Sequence, residues 1–86
     1  MALNANYPNP FNPTTKISFV LPATGAASLK VYNILGQEVA TLVDGIVRGE
    51  EVQTVSFDGS ALASGVYYYR LQNGQKIETR KMVLIK

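Results

Sequence analysis

Beyond its amines, this 86-residue chain offers six carboxylates and five phenols for chemistry, and it contains neither histidine nor cysteine. Without an imidazole or a thiol, the usual general base, the thiolate nucleophile and the nitrogen and sulfur metal ligands are missing. Acid and base work would fall to Glu38, Asp44, Glu50, Glu51, Asp58 and Glu78. Only Glu50 and Glu51 are neighbours, and adjacent strand residues project to opposite faces, so they are not expected to pair as acid and base. Asp44 and Asp58 each precede a glycine, which is turn chemistry. A calcium loop would need the DxDxDG pattern, which is absent. No GK[ST] follows Gly45 and Gly49, so they form no phosphate-binding loop. The residues therefore predict no catalytic group, no metal and no cofactor.

The tyrosines have a different potential use. Tyr67, Tyr68 and Tyr69, with Tyr32, could present rings to a sugar. Strand alternation puts Tyr67 and Tyr69 on the face of Leu71, which predicts core packing with hydrogen-bonded phenols. Tyr68 is left as the one outward ring, the residue for sugar contact if the chain binds carbohydrate. A tyrosine early in a strand that follows a turn also fits the tyrosine corner of immunoglobulin-like sandwiches.

The third feature is the stretch from Arg80 to Lys86, RKMVLIK, where Met82, Val83, Leu84 and Ile85 would put two apolar side chains on each face of a strand. A half-exposed sandwich strand needs one apolar face, so the surplus predicts a second covering, from this chain or from a partner. From Arg70 onward the basic residues Arg70, Lys76, Arg80, Lys81 and Lys86 face the single acid Glu78. This positive hairpin reads either as a solvated edge that resists self-association or as a docking surface for an acidic partner or a membrane. The whole-chain charge of +2 is too small to argue for nucleic acid.

These residues must be positioned by a small scaffold. A chain of this length buries roughly 60% of its unfolded surface, so the 47% hydrophobic content has to pack well, unaided by disulfides. No apolar run reaches the roughly 18 residues of a membrane helix, and the first residues lack the basic and apolar regions of a signal peptide. Residues 1–5 read as a linker, and any export signal is expected upstream of them, so that the chain is a module of a longer protein. Asn6 to Pro13 holds three of the four prolines and predicts an extended, polyproline-like arm over 6–14, with Phe11 or Tyr7 tucked into the core.

Residues 15–86 predict strands. Lys16 to Leu21 alternates with Ile17, Phe19 and Leu21 inward, and Ser28 to Asn33 with Leu29 and Val31 inward. Glu38 to Val43 predicts a short strand ended by Asp44-Gly45, and Gln53 to Phe57 another. Ser60 to Ala63 predicts one helical turn capped by Asp58 or Ser60, with Leu62 plugging the core. Val66 to Leu71 and Lys76 to Ile85 form the last hairpin around Asn73-Gly74, which favours a type I′ turn. Short strands with turn signals every 8–12 residues or so predict an all-β fold, a small antiparallel immunoglobulin-like sandwich of about six to seven strands.

Four segments in order carry a family resemblance. NYPNPFNPTT from Asn6, VYNILGQEV from Val31, LASGVYYYRL from Leu62 and the closing KMVLIK from Lys81 resemble the type A C-terminal sorting domain of the type IX secretion system, across Asn6 to Lys86. Immunoglobulin-like modules of flagellar hook-capping proteins share part of the pattern. The resemblance implies a non-catalytic signal at the end of a larger secreted cargo protein in Bacteroidota-like bacteria. Such cargo reaches the periplasm, crosses the outer-membrane translocon, and is released or attached to surface lipopolysaccharide by a sortase-like cysteine protease. The resemblance places signal function in Gly65 and Tyr67 of the glycine-tyrosine strand and in Lys81, Met82, Val83, Leu84, Ile85 and Lys86. Translocon or shuttle components would pair with the last strand, and removing Lys81 to Lys86 is the expected inactivating cut. The competing expectation is a carbohydrate-binding or structural accessory module of a secreted enzyme.

Overall fold

In a computed structural model, which describes all 86 residues, the predicted alternation becomes two antiparallel sheets and no helix. The strands are β1 (Ala2–Leu3), β2 (Thr14–Val20), β3 (Gly25–Tyr32), β4 (Glu38–Val47), β5 (Gln53–Asp58), β6 (Gly65–Asn73) and β7 (Lys76–Leu84). One sheet has the order β1-β2-β5 and the other β4-β3-β6-β7. Their inner faces carry Ile17, Phe19 and Phe57 on one side and Leu29, Val31, Tyr69, Leu71, Met82 and Leu84 on the other, all buried. This is the small β-sandwich that the strand pattern predicts.

Three local expectations change and a fourth is met. Residues 1–5 are not a detached linker: Leu3 pairs with Phe19 across β1 and β2 and is 2% exposed. The Asp44-Gly45 turn signal does not end β4, because β3 continues to offer a ladder, pairing Ser28 with Asp44 and Ala27 with Gly45; tertiary pairing outweighs local preference. Glu50 and Glu51 lie in the bend after β4 rather than on a strand. Ser60 to Ala63 makes a single turn, closed by the Leu62 amide donating to the Gly59 carbonyl, with Asp58 accepting from the Ser60 amide. Leu62 does pack against the core, as expected.

The closing hairpin also differs in its turn. Asn73 pairs with Lys76, so Gly74 and Gln75 form the two-residue loop. Gly74 has φ 63° and Gln75 has no positive φ, which is the type II′ pattern with glycine first rather than type I′. The Asn73 side chain instead donates to the Ala26 carbonyl at 2.8 Å, tying the hairpin to β3.

The proline arm is not a polyproline helix. The chain bends at residues 8–10 and 12–13, between the bridging residues Tyr7 and Phe11 and after Phe11. It is nevertheless tied at both ends. Tyr7 exchanges two backbone hydrogen bonds with Lys16, and Phe11 is inserted in the core with 1% exposure, edge-on to Phe57 at 6.0 Å. Tyr7 remains in solvent.

Candidate functional site

The recognition residues suggested by the sequence converge on the β6–β7 hairpin. Gly65 is opposite Leu84 and Tyr67 opposite Met82, so the glycine-tyrosine strand and the terminal strand are direct neighbours. Their exposure divides them. Tyr67, Met82 and Leu84 are buried, Gly65 and Val83 are half-buried, and Lys81, Ile85 and Lys86 face solvent, Ile85 at 49%. The surplus apolar face thus reduces to Val83 and Ile85.

The covering predicted for that surplus is in part the chain's own arm. Phe11 lies parallel to Leu84. Its amide donates to the Val83 carbonyl and its carbonyl accepts from the Ile85 amide, both at 2.9 Å. Asn9 Oδ1 accepts from the Val83 amide at 3.0 Å. The edge of β7 is therefore closed from Val83 to Ile85, contrary to the reading of that stretch as an open edge. Ile77, Thr79 and Lys81 turn their backbone groups the same way by the two-residue period, and no strand is hydrogen-bonded to them.

Electrostatics of the hairpin are more internal than its composition implies. Arg70 stacks over the Tyr32 ring, 4.6 Å from its centroid, and donates to its hydroxyl at 2.6 Å. Arg80 Nε donates to the Leu3 carbonyl at 2.6 Å. Lys86 is no free flanking charge, since its amine donates to the Ser60 carbonyl and its amide to Ser64 Oγ. Among the five cations Arg70, Lys76, Arg80, Lys81 and Lys86, only the side chains of Lys76 and Lys81 make no hydrogen bond or ion pair.

Each tyrosine takes the predicted side. Tyr67 Oη donates to the Ala63 carbonyl at 2.6 Å, four residues upstream, the geometry of a tyrosine corner. Tyr69 Oη donates to the Asn4 carbonyl at 2.7 Å and accepts from the Asn6 amide at 2.9 Å, fastening the N-terminal segment. Burial pushes this phenol up, against the opposing Asn6 hydrogen bond and Arg80 charge. Tyr68 points outward at 38% exposure, beside Tyr32 and Arg70. Asp58 acts as a turn cap, its carboxyl held below the usual range by the Ser60 hydrogen bonds. Glu38 is likewise lowered, first by Thr41 and then by Lys30. No group of three or more His, Cys, Asp or Glu residues is placed to hold a metal ion.

Two features escape the sequence reading. One is the masking of Val83 and Ile85 by Asn9 and Phe11, for which the apolar Phe11 within an asparagine-proline run is the only signal. The other is the loop after β3, where Ile34 and Leu35 stand 71% and 78% exposed; adjacent large apolar residues before a glycine could have marked it.

The fold is a small all-β sandwich with an N-terminal arm anchored at Tyr7 and Phe11 and an apolar last strand. Residues 5–86 match the family model described as the secretion system C-terminal sorting domain, and the chain belongs to that family, the sorting domains of type IX secretion. Membership implies a secreted protein that carries this domain as its signal. No curated protein and no solved structure matches the chain.

Proposed function

We propose that this domain is a non-catalytic signal that takes a larger cargo, joined to its N-terminal side, from the periplasm through the type IX outer-membrane translocon. The cargo is then released or attached at the cell surface by a sortase-like cysteine protease. The carrying observation is the family match across residues 5–86. The far end of β7 supplies the contact: Lys81 and Ile85 face solvent, and the Ile77 to Lys81 edge has no strand partner. A translocon or shuttle component adds a strand there, giving main-chain hydrogen bonds along the edge and side-chain contacts at Lys81 and Ile85. To extend to Val83 and Ile85 it replaces the Phe11 segment. Lys81 keeps the edge from pairing with a second copy.

The direct test fuses the 86-residue chain behind a periplasm-competent reporter in a bacterium with a type IX system. Surface or extracellular reporter that depends on both the chain and an intact translocon is expected. Retention in the periplasm of a folded fusion contradicts the proposal.

The outward Tyr68 beside the Arg70–Tyr32 stack favours one other reading, a carbohydrate-binding module. Such a module would be retarded on polysaccharide affinity gels and lose that retardation on Tyr68→Ala. A sorting domain passes through unretarded.

A further inference from the structure

The loop between β3 and β4 holds two large apolar side chains in water, and it is built to do so. Asn33 is its hub. Its Oδ1 accepts from the amides of Leu35 and Gln37 at 2.9 and 3.0 Å, and its Nδ2 donates to Gln37 Oε1 at 2.8 Å. Its backbone amide donates to the Gln37 carbonyl and its carbonyl accepts from Gly36, each at 3.0 Å. Gly36, at φ 80°, closes the loop in a conformation that side chains disfavour. The tip is thereby pre-organised, and Ile34 and Leu35 cannot fold back onto the core.

The surroundings give this tip a chemical character. Ile34 borders a shallow hollow whose other walls include Tyr32, Tyr68 and Arg70. Tyr32 is opposite Tyr68, and Tyr68 opposite Lys81, so the aromatic pair and the unpaired lysine lie in one cross-strand row. The nearby carboxylate, Glu38, is occupied by Lys30 at 3.3 Å and Thr41 at 2.8 Å. An apolar tip, two rings, the arginine stacked on one of them and the unpaired Lys81 thus lie towards one outer face of the β4-β3-β6-β7 sheet. Aromatic and arginine side chains around an apolar centre are the composition of interface anchors.

We propose that Ile34, Leu35, Tyr68, Arg70 and Lys81 form a second docking face, which receives a protein partner bearing an apolar pocket rimmed by acidic side chains. The face is distinct from the strand-addition edge of β7 and engages the export machinery alongside it, so it rests on the sorting reading. The apolar tip enters the pocket, and Arg70 and Lys81 meet the acidic rim, setting orientation and encounter rate.

Reporter fusions of the full chain test this in a type IX-competent host. Ile34→Ser/Leu35→Ser and, separately, Arg70→Glu should each reduce reporter export by about tenfold, the scale of losing an interface anchor. Ile34→Val/Leu35→Met should preserve export. Thermal melts of the purified variants establish that they remain folded, as expected for a tip that is 71% and 78% exposed. Folded Ile34→Ser/Leu35→Ser exported at the unsubstituted level overturns the docking face while leaving the sorting reading intact. Retention of the folded, unsubstituted fusion in the periplasm overturns both. Retention of the purified chain on an anionic polysaccharide gel that is lost on Tyr68→Ala, with export indifferent to Ile34 and Leu35, assigns the face to glycan and also overturns the proposal.

Discussion

Phe11 and Leu84, far apart in sequence, lie side by side as a parallel bridge, with both Phe11 backbone groups hydrogen-bonded to the residues flanking Leu84. The ring and the backbone act together: the ring enters the core against Phe57, and the amide and carbonyl close the edge of β7. The segment that leads in from the cargo side therefore holds the strand proposed as the signal.

Phe11→Ala removes a ring that is 1% exposed. Large-to-small changes of this kind cost about 3–5 kcal/mol, a large share of the roughly 5–15 kcal/mol that stabilises a domain. Urea unfolding should show the loss. Hydrogen exchange should show it locally, with the Ile85 amide losing protection before the β3–β6 amides do. Uniform loss of protection would mean that the arm is not a separable strap.

Tyr69 connects the second sheet to the N-terminal segment, and Tyr69→Phe leaves the Asn6 amide without its acceptor. A buried donor left unpaired costs about 1–3 kcal/mol, measurable by thermal or urea melts. The phenol also makes stability pH-dependent. Its folded value is raised by burial, so the fold prefers the neutral form. That contribution is complete below the unfolded value of about 10 and is lost as pH rises through the folded value. Above that unfolded value, native protein should lose stability more steeply than Tyr69→Phe, and the two slopes should coincide near neutrality.

Asp58 and Glu38 act in the opposite direction. Their folded values are lowered, so their contributions are present above the ordinary carboxylate range and fade as pH falls through the folded values. Asp58→Asn and Glu38→Gln should each flatten the acid limb of a stability profile, and only slightly, because both groups are exposed.

Gly74→Ala forces a side chain into φ 63° at the first position of the hairpin loop. The expected cost is at least about 1–2 kcal/mol, and Gly74→Asn should cost as much, because the first position of a type II′ turn lies outside the left-handed region that asparagine tolerates. A clearly smaller penalty for Gly74→Asn would argue against the type II′ turn and for type I′.

The legibility of the chain follows side-chain pattern. Ile17-Phe19 and Tyr67-Tyr69-Leu71 declare their buried face by strict alternation, and both faces are buried as expected. Tyr68 outward follows from the same alternation, whereas the proline arm offers both Tyr7 and Phe11 as anchors and the fold buries Phe11. Leu3 does not declare itself, because one apolar residue in a polar stretch has no period, yet it completes the core. The extension of β4 to Val47 is hidden by the Asp44-Gly45 turn signal and by register shifts opposite β3. The pairing of Phe11 with Leu84 is not legible, because backbone hydrogen bonds between distant segments leave no mark on residue type; only the apolar Phe11 in the arm and the surplus apolar face of the last strand hint at a covering. That omission matters for the site: deleting Lys81 to Lys86 would remove buried Met82 and Leu84 together with the partner of Phe11, confusing loss of signal with loss of fold.

The most direct measurement avoids that confusion by changing only solvent-facing residues of the terminal strand. Export of a reporter fused to the full chain is compared with export of its Lys81→Glu/Ile85→Asp variant, each shown to be folded by its melting curve. The sorting account predicts surface or extracellular delivery for the first and periplasmic accumulation for the second. Equal delivery of both would contradict it.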